Sequence, residues 1–220
     1  MNNKFNRLNK PRITRFASSL IGHSIPERTK GNTATVGVYI DNLVRKWAGA
    51  STGVTSGVDL AVFGIEVKSQ DIQTGSSWTI GTMTFEDILN TEYVDSSVYQ
   101  KLQALFLVRY DNELRIITDA NLHYLDNDEI QSIFKEAYDT ARREAIDYYV
   151  NFKSNLSSKL VVFSDESIEF NNSQQFKGSN GYCFEFNNSG TSFKFRISNR
   201  EMKRLVGLST ANNNTLFNFA

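Results

Sequence analysis

Residues 57–70 read GVDLAVFGIEVKSQ. Two short runs of strand composition, VDLAVF and GIEVKS, meet around Gly64 and predict a hairpin. Side chains of a strand alternate with period two, so Glu66 and Lys68 share one face of the second run. Asp59, seven residues before Glu66 and at the start of the first run, meets them across the turn. Two carboxylates and one ammonium then converge. Carboxylates that close repel unless a cation lies between them, and hard oxygen ligands of this kind select Mg²⁺. The carbonyl of Val67 is a further candidate metal oxygen. A lysine beside a metal can orient or deprotonate water, or neutralise charge growing on a phosphoryl group. The set suits phosphodiester hydrolysis. A half-exposed hairpin carrying a surface Glu and Lys stays open as the alternative.

Outward from this stretch, Val36, Tyr39, Ile40, Leu43, Val44 and Trp47 recur at helical spacing over residues 35–48, and Gly49 ends the helix. The loop GASTGVTSG follows. Downstream, residues 76–84 predict a strand, FEDILN a helical turn, and LQALFLVRY a central strand buried on both faces. ELRIITDANLHY is its expected neighbour. Residues 128–152 predict a long amphipathic helix opened by a capped, acidic first turn. Strands are expected at 160–163, 182–186 and 192–197, and a short basic helix with a serine cap at 198–206. The class is α/β or α+β, with a mixed central sheet flanked by helices.

Length and composition predict a single domain over 1–220: an arm at 1–33 that holds both prolines and packs loosely, a core at 34–206, and a tail at 207–220. No apolar run suits a membrane helix, and residues 1–16 lack the apolar segment of a secretory signal. One cysteine, Cys183, allows no internal disulfide and is expected to be a buried thiol. A cytoplasmic location is the expectation. Tyr148 and Tyr149 are expected to pack, as are Trp47 and Trp78. His23 and His123 have no partners at zinc spacing, and no phosphate-binding glycine motif points to ATP or a dinucleotide.

The net charge is zero, but its distribution is uneven. Residues 1–30 hold seven basic side chains against Glu27, and 194–204 hold five against Glu201, while the rest carries 12 basic and 22 acidic residues. Binding a polyanion needs positive charge where the backbone runs, not a positive total. Two basic segments around an acidic middle fit a cleft that holds metal ions and grips DNA at its rims. A solvated arm and an ordinary amphipathic helix would give the same count. Lys30, Lys194, Arg196 and Arg200 are the candidate DNA contacts from these segments, because Lys and Arg can take phosphate or guanine edges.

The spacing of Asp59, Glu66 and Lys68 resembles the PD-(D/E)xK core of the MutH-like endonucleases. Further segments match in order. KGNTATVGVYIDNLV resembles the family's upstream helix, with Asp41 at its acidic position. SSVYQKLQALFLV resembles the segment that places a lysine, here Lys101, before a hydrophobic strand. DNDEIQSIFKEAYDTA resembles the following helix and SFKFRIS the late strand. Asp41 stands where the family carries glutamate, and Lys194 where it carries tyrosine.

The resemblance implies a nuclease fold with a DNA cleft between two lobes, and Asp59 and Glu66 as Mg²⁺ ligands. Lys68 would activate water or stabilise charge. Asp41 would be an acid beside the metal, and Lys101 a phosphate contact or part of the water-positioning network. It implies a type II restriction endonuclease acting on double-stranded DNA, as a homodimer on DNA and beside a cognate DNA methyltransferase. A MutH-type strand-nicking enzyme and a non-catalytic DNA-binding module are the alternatives.

Overall fold

The computed structural model describes residues 10–27, 33–50, 58–61, 63–74, 77–152, 160–163, 166–169, 175–177, 182–186 and 192–214. Its centre is β3 (Ala104–Asp111), the ALFLVRYD segment. Alternate side chains of this strand enter different cores. Leu105 and Leu107 belong to one, and Ala104, Phe106, Val108 and Tyr110 to the other. A strand buried on both faces has no polar side, which is why its sequence is a near-continuous apolar run. β1 (Glu66–Asp71) lies parallel to β3 on one side, and β4 (Ile116–Tyr124) antiparallel on the other.

Two helices cover the Phe106 face. α1 (Lys10–Leu20) brings Ile13, Ala17 and Leu20, and α2 (Thr33–Ala48) brings Val36, Ile40 and Val44. Each set is one apolar stripe, spaced by four and three in α1 and by four in α2. The expectation of a loose arm is corrected for residues 10–27. Pro11 sits in the first helical turn, where its missing N–H breaks no bond. Phe16 stacks on Trp47 with ring centroids 4.0 Å apart, and Arg12 lies over the Trp47 ring.

The Leu105 face is covered by β2 (Ser77–Thr84), the helices α3 (Phe85–Asn90), α4 (Ser97–Lys101), α5 (Asp128–Phe152) and α6 (Asn199–Asn214), and β9 (Ser192–Ser198). β2 and β9 pair antiparallel within a sheet of order β2-β9-β8-β7, where β7 is Gln175–Lys177 and β8 is Tyr182–Phe186. β5 (Leu160–Phe163) and β6 (Glu166–Glu169) form a separate antiparallel pair. The whole is a mixed α and β fold with a small mixed sheet, as expected at that level.

Two more expectations are corrected. VDLAVF is not a strand among the described residues: its backbone pairing there is an isolated Leu60–Ile65 bridge just before β1. The basic helix does not stop at residue 206. Ser198 accepts the Glu201 N–H as expected, but α6 continues to Asn214 through most of the predicted tail. Lys30 and the side chains of Cys183, Tyr148 and Tyr149 lie outside the described residues. Among the described residues, no helix is long and apolar enough to cross a membrane.

Candidate active site

The turn before β1 builds the site. Leu60 and Ile65 exchange backbone hydrogen bonds, and Gly64 takes the left-handed φ of 65° that the tight return requires. This places Asp59 against the start of β1. Its carboxylate Oδ2 accepts the Val67 N–H at 2.8 Å, and its own N–H donates to Glu66 Oε2 at 3.2 Å. The Asp59 side chain thus takes an N–H of the edge strand that a hairpin partner would otherwise take.

Glu66 is 1% exposed, a depth at which an isolated carboxylate would not stay charged. Two ammonium groups answer it. Lys68 Nζ donates to Glu66 Oε1 at 2.6 Å, and Lys101 Nζ donates to the same oxygen at 3.0 Å. Burial pushes the Glu66 carboxyl above its usual range; Lys68 pulls it back and Asp59 pushes it further up. Lys101 comes from the last turn of α4, whose start is capped by Ser96. Its stem crosses Gly81 of β2, where an added Cβ would stand 3.3 Å from Lys101 Cδ. Gln131 of α5 steadies the same corner: its amide donates to the carbonyls of Leu102 and Leu125.

On the other side, Arg45 of α2 bridges two acids. Nε donates to Asp41 Oδ2 at 2.9 Å and Nη2 to Asp59 Oδ1 at 2.5 Å. Arg45 is 3% exposed, so the pairing is nearly dry. Burial first, and then Asp59, raise the Asp41 carboxyl, against the pull of Arg45. Asp41 Oδ1 is buried with no hydrogen-bond partner among the described residues.

The structure therefore gathers Asp41, Asp59, Glu66, Lys68 and Lys101 into one network, with Val67 held through its N–H. It adds Arg45, Gly81 and Gln131, which sequence reasoning missed. For Arg45 the signal was its i,i+4 spacing from Asp41; for Gly81 and Gln131 no local signal exists.

Lys194, Arg196 and Arg200 are not part of this network. On β9, Phe195 and Ile197 enter the core, so Lys194 and Arg196 stand on the opposite face of that sheet. Arg200 is exposed in the first turn of α6.

Among the described residues, no group of three or more His, Cys, Asp and Glu side chains surrounds one point as a metal cage. Mg²⁺ does not need such a cage. It takes one or two protein carboxylates and completes its octahedron with water and phosphate oxygens. Asp59 and Glu66, with the partnerless Asp41 Oδ1 beside them, fit that donor set. No protein-family model matches the chain, and no curated protein matches it.

Proposed function

We propose that the chain is a Mg²⁺-dependent endonuclease that hydrolyses phosphodiester bonds in double-stranded DNA, acting as a sequence-specific restriction enzyme. The observation that carries this reading is a buried Glu66 held by both Lys68 and Lys101, with Asp59 folded against the same strand. A surface Glu–Lys pair on an exposed hairpin would not have a carboxylate at 1% exposure answered by two ammonium groups.

Asp59 and Glu66, with the Val67 carbonyl as a further oxygen, would hold the cation, which supplies Lewis-acid polarisation of the phosphate when bound. Lys68 would direct a water at phosphorus and offset the negative charge that builds there. Lys101 would leave Glu66 a counter-charge while Lys68 engages substrate. Arg45 would hold Asp41 and Asp59 together before substrate arrives. One such centre cuts one strand, so a double-strand break requires a second copy or a second encounter. A cognate methyltransferase would protect the host's own sites.

Cleavage of supercoiled plasmid is expected to require Mg²⁺ or Mn²⁺ and to stop in EDTA, because the donor set is all hard oxygen. Ca²⁺ should support binding with little hydrolysis. Full cleavage in EDTA would overturn the mechanism, and the ratio of linear to nicked product separates restriction from strand nicking.

Affinity for duplex DNA is expected to fall with salt, log K changing by about 0.9 per phosphate contact for each unit of log [salt]. Lys194→Ala and Arg196→Ala test whether the β9 face contributes. A phosphate contact weakens cognate and random DNA alike, whereas a base contact costs about 1–3 kcal/mol on the cognate site alone. If both variants bind as wild type does, DNA lies on another surface.

A further inference from the structure

One strand away from Lys68, on the same face of the mixed sheet, lies a cavity of about 260 Å³. β3 and β4 floor it with Leu107, Arg109, Asp119 and His123; Trp78 of β2 and the first turns of α6 wall it, and it opens to solvent. Register fixes its relation to the candidate site. Lys68 pairs with Leu107, Leu107 with Asn121, and Arg109 with Asp119. Neighbouring strands stand about 4.8 Å apart, so the cavity floor begins beside the strand that carries Glu66 and Lys68.

The polar groups of this cavity are unusual. Arg109 and Asp119 are directly opposed across two strands, yet no hydrogen bond or ion pair joins them. Asp119 Oδ1 accepts from Asn121 at 2.6 Å. Arg109 Nε is buried and has no partner among the described residues. A buried guanidinium donor left unbonded is costly, and a facing carboxylate would ordinarily satisfy it. Nε itself is closed off from the pocket, while Arg109 and Asp119 stand side by side in its lining. Around them the walls are apolar: Trp78, Leu107, Met202 and Val206. Lys203 adds an exposed cation at the edge.

We propose that this cavity is a pocket for a guanine base. Guanine offers two acceptors, O6 and N7, on one edge, which an arginine takes bidentately, and N–H donors that a carboxylate accepts. Arg109 and Asp119 supply that pair. Adenine presents an amino donor where guanine presents O6, so it sets a donor against the Arg109 fork. The size agrees. A cavity of roughly 150 Å³ holds benzene and sites for larger ligands start near 300 Å³, so this pocket has room for a fused-ring base whose sugar and phosphate reach solvent. Trp78 gives the base a flat apolar wall, and Lys203 a charge for the attached phosphate. Burial lowers the His123 pKa, so the imidazole adds no charge at neutral pH beside Arg109.

Such a guanine has two sources. It can be the base of a free nucleotide, or a base turned out of the DNA strand that runs past Lys68, as enzymes that extrude bases require. Only the second source rests on the nuclease reading.

Calorimetric titration of the full chain with dGMP, dAMP, dCMP and dTMP tests the pocket. Saturable binding of dGMP is expected, at least about tenfold tighter than the other three. Arg109→Met and Asp119→Asn should each weaken it about tenfold or more. Neither change removes an ion pair between the two, and a urea unfolding curve confirms that each variant folds. Lys68→Ala should bind dGMP as wild type does. An oligothymidylate with one central dG, added in Ca²⁺, separates the sources. If it displaces dGMP and the same strand with dA does not, the base comes from DNA; if neither displaces dGMP, the ligand is a free guanine nucleotide. No saturable dGMP binding, equal binding of all four nucleotides, or wild-type affinity in Arg109→Met would overturn the pocket. Intact dGMP binding in a chain that cuts no DNA would overturn the nuclease reading and leave the pocket standing.

Discussion

Lys68→Ala is expected to lower the rate of plasmid cleavage at least about a hundredfold at neutral pH, the loss typical when one preorganised charge-stabilising donor is removed. The same variant should fold and bind DNA. The reason lies in the second ammonium on Glu66. With Lys68 gone, Lys101 Nζ still donates to Glu66 Oε1 at 3.0 Å, so the buried carboxylate keeps a counter-charge. Lys68 itself is 22% exposed on its side chain, and truncating it opens no sealed core. Removing both lysines is different: Glu66, 1% exposed, would then be an uncompensated buried charge, and the double variant should unfold at lower denaturant than either single one. Single-turnover rates, gel-shift affinities and circular dichroism of the three variants check this. A Lys68→Ala enzyme that keeps more than a few per cent of the wild-type rate would remove Lys68 from the chemistry. Asp59→Asn and Glu66→Gln should also lose cleavage while binding DNA as well or better, since each removes a negative charge near the phosphate.

Much of this site was legible in one stretch of sequence because period-two alternation is a strong rule: Glu66 and Lys68 could only share a face once β1 was a strand. The position of β3 was equally open to reading, since only burial on both faces explains LQALFLVRY. The long helix over Asp128–Phe152 followed from its period and its cap, and Asn127 Oδ1 does accept the Ile130 N–H.

The failures have physical causes. VDLAVF has strand composition, but the Asp59 side chain occupies the Val67 N–H and the chain turns tightly through Gly64, so no ladder extends. α1 was hidden because its buried stripe is only Ile13, Ala17 and Leu20 among lysines, arginines and serines; its helicity comes from packing on β4 and α2 rather than from propensity. Four residues after Asp41, Arg45 has the spacing of an ordinary solvated pair, worth a few tenths of a kcal/mol on an exposed helix. Nothing local says that Asp59 arrives from a turn fourteen residues later to make that pair buried.

Arg45→Met provides the largest expected effect on stability. Arg45 is 3% exposed and spans Asp41 and Asp59, whose side chains are 31% and 16% exposed. Its aliphatic stem is kept by methionine, so the change removes the guanidinium and little packing volume. Two carboxylates then face each other with no cation between them. Asp41 already feels Asp59, which is among the causes that raise its carboxyl. Removing one partner of a buried pair costs about 3–5 kcal/mol, more than its net contribution when intact, because the remaining charge is left uncompensated. Urea unfolding should therefore show a lower midpoint with an unchanged slope. Two controls separate charge from packing. Adding Asp59→Asn to Arg45→Met should recover part of the loss, since the uncompensated carboxylate is then neutral. Mg²⁺ should raise the midpoint of Arg45→Met more than that of the wild type, because a cation that binds only the folded chain stabilises it and here replaces a missing charge. A loss below about 1 kcal/mol would mean that water already screens the pair. Equal stability of Arg45→Met with and without Asp59→Asn would mean that Arg45 acts through packing, and that the acids Asp41 and Asp59 do not depend on it to stay together.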